Sequence, residues 1–381
     1  YPDDKFLEEI TELNTKKMIV KDIIKLLDDE YPFCYAEDYD NVGLIIGDEQ
    51  NKVKGIIVCL DAIESVIDEA IEKNCNVIVS FHPIIFEGLK KITNTNYVEK
   101  AVNKCIKNNI SLISIHTAMD NSIDGVNKII CDKLKLNKTR ILIPKKGTIK
   151  KLTTYVPEKN LEDLKNKLYI SGAGTIGNYD ECSFSVKGVG TFKGNSKSNP
   201  IIGKKGSQTK IEEVKVTFTF PAHKEQQVLQ TLKINHPYDE YAFEIISTEN
   251  TNKDIGLGMI GELSKSMNEN EFINYVKIKM NTKIIRHSEI TGRNIKTVAV
   301  LGGSGSFAIN NAISENADVY ITSELKYHDF FKANKKILLT DIGHYESEQY
   351  TKNAIHTHLT EKITNFAIVL AETNSNPVKY S

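Results

Sequence analysis

Short apolar runs alternate with amphipathic segments along much of the chain, and this alternation constrains its fold more than any other feature. In the first half, apolar runs typical of buried strands end at Leu60, Phe81 and Ile115. Between them, Ile63–Lys73 and Tyr97–Lys107 carry apolar residues at helical spacing. Strands that alternate with helices predict an α/β layer with a largely parallel sheet.

The pattern changes between about residues 145 and 255. A polar break at Ile143–Gly147 suits a linker, and the stretch after it has the order strand, helix, two strands, helix, strand. That order is typical of a ferredoxin-like α+β sandwich. The α/β alternation then resumes. The sequence therefore predicts a two-part α/β core, residues 18–145 and 255–381, interrupted by an inserted α+β domain at 150–250.

Residues 1–17 have no apolar signal core and no clear transit-peptide pattern. The amphipathic pattern begins only at Met18. We expect residues 1–17 to be a weakly structured extension.

The charge balance excludes some classes of partner. A formal net charge of −1 leaves no overall field to hold nucleic acid or an anionic membrane. The three arginines, Arg140, Arg286 and Arg293, are too few and too scattered for a phosphate-clamping cluster. No apolar run approaches the ~20 residues that would span a bilayer. Nucleic-acid binding and membrane insertion are therefore not expected.

The cysteines indicate a reducing compartment. The chain has 6 of them and no C-x-x-C pair, and Cys59, Cys75 and Cys131 lie on apolar patterns. Reduced, buried thiols in a cytoplasmic protein fit this spacing better than a disulfide framework does.

Two histidines stand where predicted strands give way to loops. His82 follows the buried-strand pattern Asn76–Phe81, and His116 follows a second such pattern, Ser111–Ile115, with Asp120 four residues further on. Open α/β sheets collect their ligands at such strand ends. The carboxylate of Asp120 has two oxygens and so could bridge two cations.

A third strand end carries His344 and Glu348. The strand-like run from Leu338 is broken at Gly343, and a polar, helix-compatible run follows to about Glu361. A spacing of four places the imidazole and the carboxylate on one face of a helix. Taken alone, the pair is more typical of a surface histidine and a glutamate at a helix start.

Together, His82, Asp120, His344 and Glu348 predict a metal site. Histidine and carboxylate ligands favour zinc, iron or manganese over calcium or magnesium, with one or two cations per chain. Such a site lowers the pKa of a bound water toward ~7 and supplies a nucleophile at neutral pH. His116 is either a further ligand or a proton shuttle, which makes it the candidate catalytic residue.

Other polar segments have two interpretations each. The small residues of Gly302–Ser306 fit an anion site at a helix start, and a tight turn explains them equally well. Glu324, Tyr327 and His328 follow a predicted strand and are candidates to orient the metal ligands. Asp40, shortly before Gly43, is typical of an ordinary turn.

Four of these motifs occur in order along the chain: Asp40-Asn-Val-Gly43, His82-Pro-Ile-Ile-Phe86, His116-Thr-Ala-Met-Asp120 and Gly343-His-Tyr-Glu-Ser-Glu348. They resemble the motifs of the NIF-three-like dinuclear metal-centre family, often called GTP cyclohydrolase I type 2 homologues, from about Met18 to the end of the chain. The resemblance implies a metal-dependent hydrolase that acts on a nucleotide-like small molecule, with GTP-type ring opening as the specific reaction. It also implies a toroidal homohexamer whose inserted domain resembles small regulatory modules.

One departure from the family pattern affects the metal count. The family commonly has two adjacent histidines before the proline, and here the first is Phe81. Phenylalanine cannot bind a cation, so one of the two metals loses a nitrogen ligand. This departure favours the alternative hypothesis, a non-catalytic, metal-binding, ring-forming regulatory or scaffold protein.

Overall fold

The computed structural model describes residues 18–198, 203–364 and 367–380. The predicted extension 1–17 lies outside the described residues. The chain divides into two compact units. One contains the residues up to Ile143 together with those from Gly256 onward, and the other is Pro144–Ile255.

The helices and strands follow in chain order. Up to residue 144 they are α1 (Val20–Glu30), β1 (Gly43–Ile46), β2 (Ile56–Cys59), α2 (Glu64–Glu72), β3 (Val77–Ser80), α3 (Tyr97–Lys107), β4 (Ser111–Ser114), α4 (His116–Asp120), α5 (Val126–Lys133) and β5 (Asn137–Pro144). The second unit has β6 (Ile149–Val156), α6 (Leu161–Ile170), β7 (Phe184–Lys193), β8 (Gln208–Pro221), α7 (Glu225–Asn235) and β9 (Phe243–Ser247). The remainder is β10 (Gly256–Asn268), α8 (Glu269–Met280), β11 (Arg286–His287), β12 (Asn294–Ser304), α9 (Ile309–Ser314), β13 (Val319–Ser323), β14 (Leu338–Asp341), α10 (His344–Glu348), α11 (Thr351–Lys362) and β15 (Ile368–Leu370). Among the described residues, no helix is long and apolar enough to cross a bilayer.

The first unit contains a five-stranded sheet in the order β1-β4-β3-β2-β15. Its strands run parallel except β1, which is antiparallel to β4. Strands β2, β3 and β4 are buried on both faces, which explains their continuous apolar runs. Helices α2 and α3 cover one face, and α1, α5 and α11 contribute to the core on the other.

A second, six-stranded sheet of the same unit has the order β11-β14-β13-β12-β10-β5. Its strands β12, β13 and β14 are parallel, β10 is antiparallel to β12, and β11 is antiparallel to β14. Each sheet includes one strand from the other part of the chain. Strand β15, from the second part, belongs to the first sheet, and β5, from the first part, belongs to the second sheet. The largest core contains side chains from both sheets. Pattern reading alone did not separate the strands into two sheets.

The second unit is an antiparallel sheet in the order β7-β8-β6-β9. Alternate residues of β8, such as Val216 and Phe218, are buried in a core with Leu164 of α6 and Val228 of α7. Both helices therefore pack on one face of this sheet.

Local structure differs from expectation at one site-bearing segment. Residues His116–Asp120, expected to form a loop, make the single helical turn α4. Its ends are four residues apart, so His116 and Asp120 lie on one face of the turn.

The buried carboxylate of Glu69 on α2 anchors the segment after β15. It accepts the backbone N–H groups of Glu372 (2.9 Å) and Thr373 (3.0 Å), and Lys73 lies 2.9 Å from it. Burial alone would raise the pKa of Glu69, but these hydrogen bonds outweigh it and hold the pKa at about 2.

We expect Glu69→Gln to lower the free energy of unfolding by about 1–3 kcal/mol at pH 7, since an amide cannot accept all of these hydrogen bonds. The depressed pKa means that the stabilisation is present above the ordinary carboxyl pKa and is lost as the pH falls toward 2. Urea unfolding at pH 7 and at pH 3 measures the free energy of unfolding of the variant and of wild type. The difference between the two should be smaller at pH 3 than at pH 7. Glu72→Gln, an exposed change on the same helix, is the control. Equal effects of the two variants at pH 7 would contradict the anchor.

Candidate metal centre

His82 lies two residues past β3, where its backbone N–H donates to Leu60 O (3.0 Å). Its Nδ1 is 2.8 Å from Asp61 Oδ1. Burial would raise the pKa of Asp61, but the hydrogen bond with His82 outweighs burial and lowers it, so Asp61 is an ionised acceptor. Nδ1 of His82 is therefore the protonated donor, and the ring directs Nε2 to the opposite side.

His344 and Glu348 occupy the two ends of α10, which begins directly after Gly343. Gly343 has φ +93°, a left-handed conformation that ends the strand and turns the chain into the helix. His344 Nδ1 is 3.1 Å from Glu324 Oε1, and His344 Nε2 is 3.0 Å from Glu348 Oε2. The predicted helical face is thus present, and Glu324 has the orienting position expected for it.

Oε2 of Glu348 lies between two imidazoles, 3.0 Å from Nε2 of His82 and 3.0 Å from Nε2 of His344. Ligand atoms of these three residues all lie within 4.8 Å of one another. His82 Nε2 and Glu348 Oε2 are buried and make no hydrogen bond, despite their short separation. Buried polar atoms without hydrogen bonds are rare, and two nitrogens and an oxygen so placed fit a divalent cation.

The electrostatics of this group favour positive charge. Burial lowers the pKa of His82, but Glu348 and Asp61 outweigh burial and raise it to about 10. The pKa of His344 is likewise lowered by burial and raised more strongly by Glu348, to about 9. Burial raises the pKa of Glu348, and the two imidazoles reverse that shift and lower it.

Asp120, at the end of α4, lines a cavity together with the three residues of this group. Its Oδ1 is buried without a hydrogen-bond partner, and burial together with the charge of Glu348 raises its pKa well above the ordinary value. Asp120 is not one of the three residues whose ligand atoms lie within 4.8 Å of one another. It lines the cavity beside that group, and its unpartnered Oδ1 is a further candidate ligand atom.

His116 lies at the other end of α4, its ring centroid 5.2 Å from that of His82. Its Nδ1 is 2.8 Å from Asp40 Oδ1, and Thr117 donates to the second oxygen of Asp40. Burial raises the pKa of Asp40, but these hydrogen bonds outweigh it and hold the pKa at about 2. Asp40 therefore does more than form a turn, because it fixes the tautomer and orientation of His116.

The cavity has a volume of about 370 Å³. It brings together all five residues predicted from the sequence: His82, His116, Asp120, His344 and Glu348. Tyr327 and His328, the other candidate orienting residues, do not line it. In a short 3₁₀ helix, the ring of Tyr327 meets that of Phe331 edge-on and the ring of His328 lies tilted against it.

Phe81, the departure from the family pattern, is fully buried beside the site. Its ring centroid is 4.9 Å from that of His82 and 5.6 Å from that of His116. The ring therefore occupies space next to both imidazoles without offering a ligand atom.

The glycines at the end of β12 let the backbone lie close to the side chain of Glu348. The N–H of Gly302 donates to Asn127 (3.0 Å) and that of Gly303 to Ser347 (2.9 Å), so neither group is free for an anion. A Cβ on Gly303 would lie 2.4 Å from Glu348 Oε1. Gly302 and Gly303 lie within β12 and not at a helix start, which argues against the anion-site interpretation for these two residues.

Sequence reasoning missed Asp61 and underrated Asp40. Asp61 follows the predicted strand end at Leu60, the same kind of position that singled out His82 and His116. A search for carboxylates at strand ends would therefore have found it.

Three imidazoles at strand ends, each oriented by a carboxylate and accompanied by Glu348 and Asp120, define a candidate divalent-metal centre in a mixed α/β fold with several sheets. The chain belongs to the Duf34/NIF3 (NGG1p interacting factor 3) family, whose model matches residues 18–377. The resemblance drawn from the motifs is confirmed.

Relatives of known name and structure extend along nearly the whole chain. A Bacillus subtilis (strain 168) relative, "GTP cyclohydrolase 1 type 2 homolog", is 36% identical over 94% of this chain and 97% of its own. A Staphylococcus epidermidis (strain ATCC 12228) relative of the same name is 34% identical over 95% and 100%. The structure is similar to that of a Bacillus cereus protein related to NIF3, with TM-score 0.82, 33% identity and coverage of 96% of this chain and 100% of the other.

We expect Gly303→Ala to lower the free energy of unfolding by about 3 kcal/mol, because it adds left-handed strain and displaces Glu348 from its charged partners. Gly292→Ala is the matched control, since Gly292 also has a positive φ (+78°) but its Cβ would meet nothing within 4 Å. In the control, left-handed strain alone should lower the free energy of unfolding, by about 1–2 kcal/mol. Urea midpoints compare the two, and equal losses would contradict the close approach of Gly303 to Glu348.

Proposed function

We propose that this chain is a metal-dependent hydrolase that acts on a nucleotide-like small molecule. The group formed by His82, His344 and Glu348 in the cavity is the observation that carries the proposal. Nitrogen and oxygen ligands of this kind favour zinc, iron or manganese. Asp120 is the proposed fourth ligand, and its second oxygen would serve a second cation.

His116 is the proposed catalytic residue. The ligand residues would hold a cation, which would supply Lewis acidity and lower the pKa of a water toward ~7. His116 Nδ1 is engaged by Asp40, so Nε2 is the nitrogen that accepts a proton from the water. In the proposed hydrolysis, the water oxygen bonds to a ring carbon of the substrate and a ring C–N bond breaks. The proton held by His116 then passes to the departing nitrogen.

Aromatic rings at the cavity support a planar substrate. Tyr39, Phe86 and Phe307 line it, and each is more than half exposed, at 65%, 51% and 57%. The ring centroids of Tyr39 and Phe86 are 6.2 Å apart. Exposed aromatic side chains beside metal ligands fit stacking on a heteroaromatic ring.

The names of the relatives support the more specific reaction. The B. subtilis and S. epidermidis relatives are named as homologues of GTP cyclohydrolase 1 type 2. We extend this to the present chain as a proposal of GTP-type ring opening.

Removing a proposed ligand tests the metal centre. His344→Ala, Glu348→Ala and Asp120→Ala should each lose most of the bound metal in elemental analysis of the purified protein, with Asp120→Ala the most severe if Asp120 bridges two cations. His328→Ala, a histidine outside the cavity, should retain the wild-type content. Unchanged metal in all three ligand variants would reject the site and the hydrolase proposal with it.

Phe81→His gives the reverse experiment. The new imidazole would stand beside His82 and His116, so the metal content should rise toward two per chain. A content equal to that of wild type would show that a histidine at this position is not sufficient to complete a second site.

Turnover tests the substrate class. The chain loaded with Mn²⁺ or Zn²⁺ should hydrolyse a member of a purine nucleotide panel that includes GTP, and EDTA should abolish the activity. Phe86→Leu should raise KM about 10-fold with little change in kcat, because a stacked base contributes about 1–3 kcal/mol. Phe86→Tyr should behave as wild type, and so should Phe331→Leu, which alters an exposed ring outside the cavity. A KM unchanged by Phe86→Leu would rule out stacking.

The second candidate function is a non-catalytic, ring-forming regulatory or scaffold protein that binds metal. In this proposal, residues 150–250 form an inserted ferredoxin-like domain, supported by the strand order β7-β8-β6-β9 with both helices on one face. Phe184 and Ile246 lie on strands β7 and β9 of this sheet with exposed side chains, as expected of an assembly surface. The proposed assembly is a toroidal homohexamer.

The two functions predict different outcomes in the same assay. A scaffold should bind metal and form a ring, yet show no saturable turnover on the nucleotide panel. Metal-dependent turnover that saturates with substrate would favour the hydrolase.

A further inference from the structure

The orientation of His82 depends on a residue far away in the chain. One oxygen of Asp61 lies 2.8 Å from His82 Nδ1, and the other accepts a hydrogen bond from the hydroxyl of Ser375, 314 positions away in sequence. Ser375, Asp61, His82 and Glu348 thus form a continuous series of polar contacts that ends at the candidate metal centre.

The other two imidazoles have more local support. Asp40, which orients His116, receives its other hydrogen bonds from Thr117, the residue next to that histidine, and from the backbone N–H of the adjacent Asn41. Glu324, which orients His344, directly follows β13, whose neighbour β14 leads into α10. Of the three carboxylates, Asp61 is the one whose second oxygen is held by the segment after β15.

That segment, residues 371–380, is itself fixed in place. Lys352 donates to Ala371 O (2.9 Å), and Glu69 holds the next two residues. On either side of Ser375, the Asn374 side chain accepts from the N–H of Asn376, and the Asn376 side chain accepts from the N–H two residues further on, both at 2.9 Å. Such turns hold the backbone without help from regular secondary structure.

Ser375 does not face the candidate catalytic cavity. With Asp61 it lines a separate cavity of about 650 Å³, which His82 also borders. His82 lines both cavities, whereas Ser375 and Asp61 line only the larger one. Ser375 can therefore act on the metal centre only through Asp61.

We propose that Ser375 is a positioning residue of the candidate metal centre, holding Asp61 so that His82 directs Nε2 toward Glu348. The inference rests on the metal centre of the proposed function. Without the Ser375 hydroxyl, one oxygen of Asp61 turns to water in the larger cavity, and the imidazole loses its fixed orientation. Loss of a residue that orients a metal ligand lowers metal affinity about 10–100-fold.

Titration of the full chain with Co²⁺ tests this, because its visible spectrum reports both affinity and ligand geometry. Ser375→Ala should weaken Co²⁺ binding about 10-fold and alter the spectrum, and Ser375→Thr, which keeps the hydroxyl, should restore both. Ser314→Ala removes a serine hydroxyl at the exposed end of α9 and should match wild type. A general loss of stability would lower the melting temperature without changing the spectrum of the bound ion.

A double-mutant cycle identifies the route of the effect. Asp61→Asn should weaken Co²⁺ binding by at least as much as Ser375→Ala. Adding Ser375→Ala to Asp61→Asn should cause no further loss, since the serine acts only through the aspartate. Additive losses would overturn the proposal, and so would wild-type affinity and spectrum in Ser375→Ala. If the wild-type chain itself bound no Co²⁺, the metal centre of the proposed function would fail as well.

Discussion

The buried carboxylate of Glu348 lies 3.0 Å from the Nε2 atoms of both His82 and His344. A carboxylate in this position would be costly without positive charge close by, so the rest of the site is arranged to provide it. The backbone contributes through Gly303, where the absence of a Cβ leaves room for the carboxylate. The position of Glu348 thus determines what can surround it.

The far side of each imidazole is occupied by a carboxylate. Asp61, Asp40 and Glu324 contact the Nδ1 atoms of His82, His116 and His344 at 2.8, 2.8 and 3.1 Å. Carboxylates in this position fix the tautomer of a histidine and make its other nitrogen a better metal ligand. Asp61 and Glu324 lie just after strands β2 and β13, and Asp40 lies just before β1. The strands therefore help to fix the orientation of the rings.

The arrangement of the two sheets makes this convergence possible. Parallel pairing of β3 with β4 places His82 and His116 at neighbouring strand ends. Parallel pairing of β13 with β14 does the same for Glu324 and His344. Side chains of both sheets enter one core. Because β15 pairs in the first sheet and β5 in the second, the two parts of the chain form one compact unit. The membership of the chain in the Duf34/NIF3 family fits this architecture.

Local sequence determined what depends on short spacing. The helical face shared by His344 and Glu348, the histidines at strand ends and the strand–helix alternation all follow from periodicity within a few residues. Only the tertiary structure decided which strand ends meet, because that depends on sheet order and on packing between distant segments. It also decided that Asp40 orients His116, and that Asp61 is held by a serine 314 positions away. No local pattern specifies such contacts, since their energy exists only after the sheets have assembled.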